Sequence, residues 1–181
     1  MAQMVMKCAE IRGSLTTGLA ILLFSVTAGC AGNEQPVRSD PSGRIDFELP
    51  GAWTEVAGSS GTRFSPPASP GVQVQVNTVD DNGRVSLDQR RDSWLDFQKE
   101  NGATILLERA WPGANMPGVE YAHDGDSLAG ETIFHYVLLA GDGYVVTTSL
   151  QAGPGAYDDL LPVYREIVAS IRPTAESRSG G

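Results

Sequence analysis

The chain has 181 residues, 41% of them hydrophobic, with a formal net charge of −9 and two cysteines, which fits one ordinary domain with short segments beside it. The acidic balance, with a pI near 4.6, argues against a nucleic-acid partner, because phosphate contacts require a basic surface. Two cysteines exclude a disulfide-rich scaffold and a four-cysteine zinc site.

The N-terminal segment has the three zones of a secretory signal. Lys7 and Arg12 supply weak positive charge, residues 15–26 are apolar, and Thr27-Ala28-Gly29-Cys30 closes the segment with small residues. An apolar run of about 12 residues is too short to cross a bilayer core of ~30 Å as a helix. We therefore predict that residues 1–29 are a signal peptide.

The end of this segment resembles a bacterial lipobox, in which small residues precede a cysteine that is acylated. The usual leucine of the motif is Thr27 here. The resemblance implies that Cys30 is acylated, with palmitate among the attached chains. The alternative is an ordinary signal peptide that leaves Cys30 as a free thiol. At about 0.8 kcal/mol per buried methylene, two or three acyl chains would hold the protein at a membrane. We expect the extracytoplasmic face of the cell membrane, or the outer membrane of a Gram-negative cell.

The two flanks of the central region have the composition of flexible chain. Residues 30–43 and 173–181 are mostly Gly, Asn, Ser, Pro and charged residues, which bury too little apolar surface to offset chain entropy. We predict a tether over 30–43, a folded domain over 44–172 and a disordered tail over 173–181.

The domain opens with strands. Residues 44–49 alternate polar and apolar side chains, residues 62–65 form a short second strand, and residues 72–76 give the cleanest alternation in the chain. A second group of strands is predicted over 103–110, 118–123, 131–140 and 144–150, the last two joined by a tight turn at 140–143.

Two helices interrupt these strands. Ser86 and Gln89 form a capping-box pair at the start of a helix that runs to Glu100, and we expect Trp94 and Phe97 of that helix to be packing residues. The last helix carries one apolar stripe from Tyr157 to Ile171, with the residues spaced by three or four. Pro162 predicts a kink in it, or a helix that begins near Leu161.

Strands in hairpins with two helices predict an α+β fold around a mostly antiparallel sheet. The opening strand with residues 47–53 (Phe-Glu-Leu-Pro-Gly-Ala-Trp), the Gly143-Tyr144 strand and the closing Ile167–Ile171 helix resemble the PsbP/DcrB-like fold group, which includes small lipoproteins of the LpqN type. The resemblance implies an α/β/α sandwich with two main helices and a non-catalytic, accessory or partner-binding role.

The sequence contains no motif that predicts an enzyme. Gly58-Ser-Ser-Gly61 lacks the spacing of a nucleophile elbow, and no phosphate-binding glycine loop occurs. His123, Asp124, Asp126 and Glu131, with His135, are the one cluster that could bind a cation. Residues 124–127 are more simply read as a turn, and His135 as facing the outer side of the sheet. We therefore expect no metal site and no cofactor.

The segment from Trp111 to Pro117 holds apolar side chains in a loop rich in Pro and Gly. Exposed apolar loop tips can mark interaction sites, so Trp111 and Met116 are candidate partner contacts. The alternative is that both side chains fold back over the sheet.

Three functions are compatible with these sequence features. The first is a lipid-anchored extracytoplasmic module that recruits a protein partner at the cell envelope. The second is a carrier or sensor of an apolar small molecule held between sheet and helix. The third is a hydrolase built on His123 and Asp124. The missing catalytic motifs favour the first.

Overall fold

The computed structural model describes residues 35–56, 62–67, 69, 71–128 and 130–175. The predicted signal peptide, Cys30 and Gly58–Gly61 lie outside these residues. Within them the elements are β1 Val37–Ser39, β2 Ile45–Glu48, β3 Thr54–Val56, β4 Thr62–Ser65, β5 Gln73–Asp80, α1 Leu87–Glu100, β6 Ile105–Ala110, β7 Gly118–Ser127, β8 Gly130–Ala140, β9 Tyr144–Ala152, α2 Pro154–Ser170 and β10 Arg172–Pro173.

The described strands form two antiparallel sheets. The larger sheet has the order β3-β4-β5-β9-β8-β7-β6, and the smaller one has the order β1-β2-β10. Neighbouring residues of β8 belong to different cores, Val137 and Leu139 to the one under α2 and Leu138 to the one under α1. The helices therefore cover opposite faces of the large sheet, here named the α2 face and the α1 face, and the predicted α+β sandwich is confirmed.

The α2 face holds most of the apolar core. The small sheet and α2 pack together over it, with Phe47 of β2 meeting Phe64 of β4 edge to face at 5.7 Å between ring centroids. The fully buried apolar side chains of this core include those of Ile45, Phe47, Leu49, Val74, Val76, Leu139, Val146, Leu150, Tyr164, Ile167, Val168 and Ile171. This face therefore supplies most of the hydrophobic stabilisation.

The α1 face is covered more thinly. The predicted capping box is confirmed, since Gln89 N–H donates to Ser86 Oγ and Ser86 N–H donates to Gln89 Oε1. Leu95 is the one fully buried residue of α1. The expected packing holds in part for Trp94, which meets Tyr136 of the sheet edge to face but stays 39% exposed. It is wrong for Phe97, which is 54% exposed, because Leu95 is the residue of α1 that faces the sheet.

Helix α2 begins well before Leu161, where one of the two predictions placed its start. It runs without interruption from Pro154, so the start near Leu161 is wrong. Pro162 removes the N–H that would bond the Asp158 carbonyl. Both residues are exposed, so water can satisfy that carbonyl and the helix continues. No helix in the described part of the chain has the length and hydropathy needed to cross a membrane.

The end of the predicted tether is folded. β1 pairs with β2 from Val37↔Glu48 to Ser39↔Asp46. The buried Asp40 carboxylate accepts hydrogen bonds from the backbone N–H groups of Arg44 and Ile45 and from the Thr78 hydroxyl. Composition indicated flexible chain here, but backbone pairing and one buried carboxylate hold polar residues without an apolar core.

The Trp111–Pro117 loop folds back onto the sheet. Trp111 and Met116 are both buried in the core of the α2 face, so their assignment as exposed partner contacts is wrong. Gly113 leaves room for the Trp111 ring, because a Cβ there would overlap the indole. The amide of Asn115 donates to the Ala169 carbonyl and ties the loop to α2. The loop therefore closes the core.

Candidate functional site

An open groove of about 610 Å³ lies on the α1 face, between the C-terminal half of α1 and the β7–β8 hairpin. Its position follows from how α1 ends. Asn101 caps the helix, and Gly102 takes a φ of 86°, a left-handed conformation that favours glycine. The groove is lined by Trp94, Gln98, Asn101, Gly102, Ala103, His123, Asp124, Gly125, Asp126, Glu131, Phe134 and Tyr136.

The segment after α1 is fixed to β7 by two hydrogen bonds. Thr104 N–H donates to Asp124 Oδ1 at 2.6 Å, and Asp124 N–H donates to the Thr104 carbonyl at 3.0 Å. The first bond lowers the pKa of Asp124. The predicted turn over residues 124–127 is wrong, because β7 continues to Ser127 and the hairpin closes at the Ser127↔Gly130 pair. Asp124 therefore stays ionised and helps to position one wall of the groove.

Aromatic rings form the floor of the groove. Tyr136 stacks on Tyr121 at 5.1 Å, and Trp94 meets Tyr136 edge to face at 6.0 Å and Phe97 at 5.9 Å. Burial raises the pKa of Tyr136 to about 12, so its phenol stays neutral at physiological pH. The Trp94 ring therefore contacts this aromatic layer on one side and solvent on the other.

His123 belongs to the same layer. Its ring stacks between those of Phe134, at 5.2 Å, and Tyr136, at 6.0 Å. Nδ1 lies 2.7 Å from the Asp124 carbonyl oxygen, which can only accept, so Nδ1 is the donor. In the neutral ring Nε2 is then an acceptor, and it has no hydrogen-bond partner in the described part of the structure.

The cluster suggested by the sequence is only partly assembled. His123, Asp124, Asp126 and Glu131 line one groove. His135 is elsewhere: it lies on the α2 face and is fully buried, so its predicted outward position is wrong. Alternation could not assign its side because both faces of β8 are covered. Among the described residues no group of three or more His, Cys, Asp or Glu side chains could hold a metal ion.

A second polar cluster surrounds His135 under α2. The Glu120 carboxylate is fully buried and accepts from Arg109 Nε at 2.6 Å, His135 Nε2 at 2.8 Å and Arg165 Nε at 2.8 Å. The hydroxyl of Tyr157 lies 2.7 Å from the other His135 nitrogen. Burial raises the pKa of Glu120, but the three donors outweigh it and lower the pKa from 4.5 to about 2. These groups satisfy one another, and none of them lines the groove.

The sequence indicated some of these groups and missed others. The sequence predicts Trp94 only as a packing residue, and no motif marks Glu120. The one signal for Trp94 and Phe97 is that α1 is rich in charged residues, with few apolar side chains for a stripe. Glu120 gives no local signal, because its partners come from β6, β8 and α2.

The sequence matches no protein-family model and no curated protein. Solved structures do resemble it. CyanoP, the PsbP protein of the cyanobacterium Synechocystis, is 15% identical with a TM-score of 0.55, over 83% of this chain and 99% of that chain. PA94 from Pseudomonas aeruginosa is 15% identical with a TM-score of 0.55, over 78% and 98%.

A mycobacterial structure gives the same result. LpqN, a protein involved in cell envelope biogenesis of Mycobacterium tuberculosis, is 14% identical with a TM-score of 0.54, over 80% of this chain and 87% of that chain. At such identities the likeness concerns the fold alone. It confirms the resemblance seen in the sequence, and the chain therefore has the PsbP/LpqN-like fold.

Proposed function

We propose that this protein is a partner-binding module of the cell envelope, not an enzyme, and that it recruits another protein through the groove on its α1 face. The observation that carries the proposal is a pair of exposed aromatic side chains on α1: Trp94, which lines the groove, and Phe97, whose ring contacts that of Trp94. Aromatic side chains of this kind are enriched at protein interfaces and often dominate their energetics.

The envelope location rests on two observations. The Ala28-Gly29-Cys30 sequence resembles a lipobox, and LpqN, which shares the fold, is a protein involved in cell envelope biogenesis. A lipid on Cys30 would hold the module on the extracytoplasmic side of a membrane and raise the local concentration of envelope partners.

The shape of the groove favours a protein over the apolar small molecule considered as the alternative. An apolar ligand requires a concave, mostly apolar pocket that encloses it. This groove is open, and Asp126 and Glu131 at its rim are exposed charges. A partner that covers the rim can use both the aromatic rings and the carboxylates.

In-cell photo-crosslinking tests the proposal. A photoreactive amino acid replaces Phe97 in one strain and Val37 of β1 in another; these positions are matched controls because their exposures are 54% and 53%. We expect one discrete adduct from position 97 and none from position 37. Trp94→Ala should remove the adduct, and Cys30→Ser should reduce it by releasing the protein from the membrane.

Two results would contradict the proposal. One is the same pattern of adducts from both positions, which would indicate random collision. The other is an adduct from position 97 that persists unchanged in the Trp94→Ala protein, which would show that the groove does not contribute.

A further inference from the structure

The folded domain begins close to the predicted lipid attachment site. The Pro36 carbonyl accepts a hydrogen bond from Leu49 N–H at 3.2 Å, and β1 begins at Val37. Cys30 precedes Pro36 by six residues, which span about 20 Å at full extension. An acyl chain on Cys30 would therefore keep this part of the domain within about 20 Å of a bilayer surface.

This part, here named the β1 corner, consists of residues 36–39 and the 49–52 segment beside them. It belongs to the α2 face, because β1 pairs with β2 and Phe47 of β2 packs on Phe64 of β4. The Asp40 carboxylate, next to β1, accepts from the Thr78 hydroxyl of β5. The β1 corner therefore lies over β4 and β5, at the end of the large sheet that is closed by β3.

The groove is displaced from the β1 corner in two directions. It lies on the α1 face, across the large sheet, and its walls come from α1 and the β7–β8 hairpin. In the strand order of the large sheet, β4 and β7 are four steps apart, which is about 19 Å at the usual strand spacing. The β1 corner and the groove thus occupy opposite faces and opposite ends of the sheet.

We propose that the β1 corner faces the bilayer and that the groove opens away from it, because the chain between Cys30 and Pro36 is short. With the α1 face on the bilayer, α1 and the large sheet would lie between the lipid and the small sheet. The β1 corner would then be about 25 Å from the lipid, farther than the chain reaches. This orientation rests on the proposed function, with its lipid on Cys30, and adds the direction in which the groove faces.

The orientation restricts both surfaces to particular contacts. A groove that opens away from the lipid receives a partner segment from the aqueous side of the envelope, not one embedded in the bilayer. The β1 corner is suited to lipid headgroups. Arg38 is exposed and has no ion pair among the described residues, so its guanidinium is available to a phosphate. Val37 is the one exposed apolar side chain of β1, too little apolar surface for insertion.

Contact quenching in phosphatidylcholine nanodiscs tests the orientation on the full acylated chain. Val37→Cys and Phe97→Cys proteins, matched by exposures of 53% and 54%, carry a small fluorophore on the new thiol. The predicted loss of Cys8 with the signal peptide and the acylation of Cys30 leave that thiol as the one to label. Lipids that are spin-labelled on the headgroup act as the quencher. We expect a loss of emission at position 37 and no loss at position 97.

A longer chain before the domain should remove this difference. Inserting about 20 Gly and Ser residues between Asn33 and Glu34 raises the full reach from Cys30 to about 90 Å, so the domain can turn in any direction. We expect weaker quenching at position 37 and new quenching at position 97. The same residues added after Gly181 are the matched control, and they should leave the original difference unchanged.

Each outcome decides the orientation. Equal quenching at the two positions, stronger quenching at position 97, or a difference that survives the insertion unchanged overturns it. An intact mass without acyl chains overturns it as well, since Cys30 is then not held at the bilayer. If one of these results is found while position 97 still yields its adduct in cells, the recruiting function stands and only the orientation fails. If the quenching is as expected but no adduct forms, the recruiting function fails.

Discussion

The two faces of the large sheet differ in what their residues are used for. On the α2 face, the apolar side chains of the core are buried. The buried carboxylate of Glu120 accepts hydrogen bonds from Arg109, His135 and Arg165. On the α1 face, Trp94 and Phe97 are exposed, and His123 Nε2 has no partner in the described residues. The contrast assigns stability to the first face and binding to the second.

The largest expected difference between the faces comes from two identical substitutions. Phe47→Ala empties a fully buried position on the α2 side and should lower the free energy of unfolding by about 3–5 kcal/mol. Phe97→Ala makes the same change at a position that is 54% exposed and should alter it by less than about 0.5 kcal/mol. Urea unfolding of both variants measures the difference, and equal losses would refute the assignment of roles.

The buried carboxylate of the α2 face predicts a dependence of stability on pH. The pKa of Glu120 falls from 4.5 to about 2 on folding, so its contribution is complete above pH 4.5 and is lost as the pH falls from 4.5 towards 2. The shift corresponds to about 3 kcal/mol. Urea unfolding between pH 2 and 7 should show this loss in the wild type.

Glu120→Gln is the control for that pH profile. The variant should be less stable at pH 7, because Arg109, Arg165 and the buried His135 lose their carboxylate, and the gap to the wild type should close at low pH. A gap that stays constant from pH 7 to pH 2 would show that Glu120 does not titrate as the network requires.

A smaller effect is expected where α1 begins. Ser86→Ala removes the side-chain cap from Gln89 N–H and should cost about 1 kcal/mol. Ser93→Ala, an exposed change in the middle of the same helix, should be neutral or slightly stabilising, because alanine is the better helix former. If the two variants unfold at the same urea concentration, α1 is held by its packing and not by its cap.

Local signals explain which parts of the fold the sequence predicts well. The alternation at Val72, Val74 and Val76 and the Ser86–Gln89 box each lie within a few residues, and both are confirmed. The side of His135 and the burial of Trp111 depend instead on which elements pack over them from far along the chain. Such contacts leave no periodic signal in the sequence.

The candidate site shows the same division. The sequence predicts that His123, Asp124, Asp126 and Glu131 lie close together, and all four line the groove. It did not show that Trp94 of α1 completes that groove, because the helix and the hairpin meet only through the fold. It also did not show that His123 Nε2 has no partner in the described structure, since that depends on the tautomer set by the Asp124 carbonyl.

Trp94→Ala provides the most direct test of the separation between a stabilising face and a binding face. Two quantities are measured on this one variant: its free energy of unfolding in urea and its yield of the adduct from position 97. We predict a stability loss of about 1 kcal/mol, from the ring contacts with Phe97 and Tyr136, together with loss of the adduct. A loss of stability comparable to that of Phe47→Ala, with the adduct retained, would contradict the account.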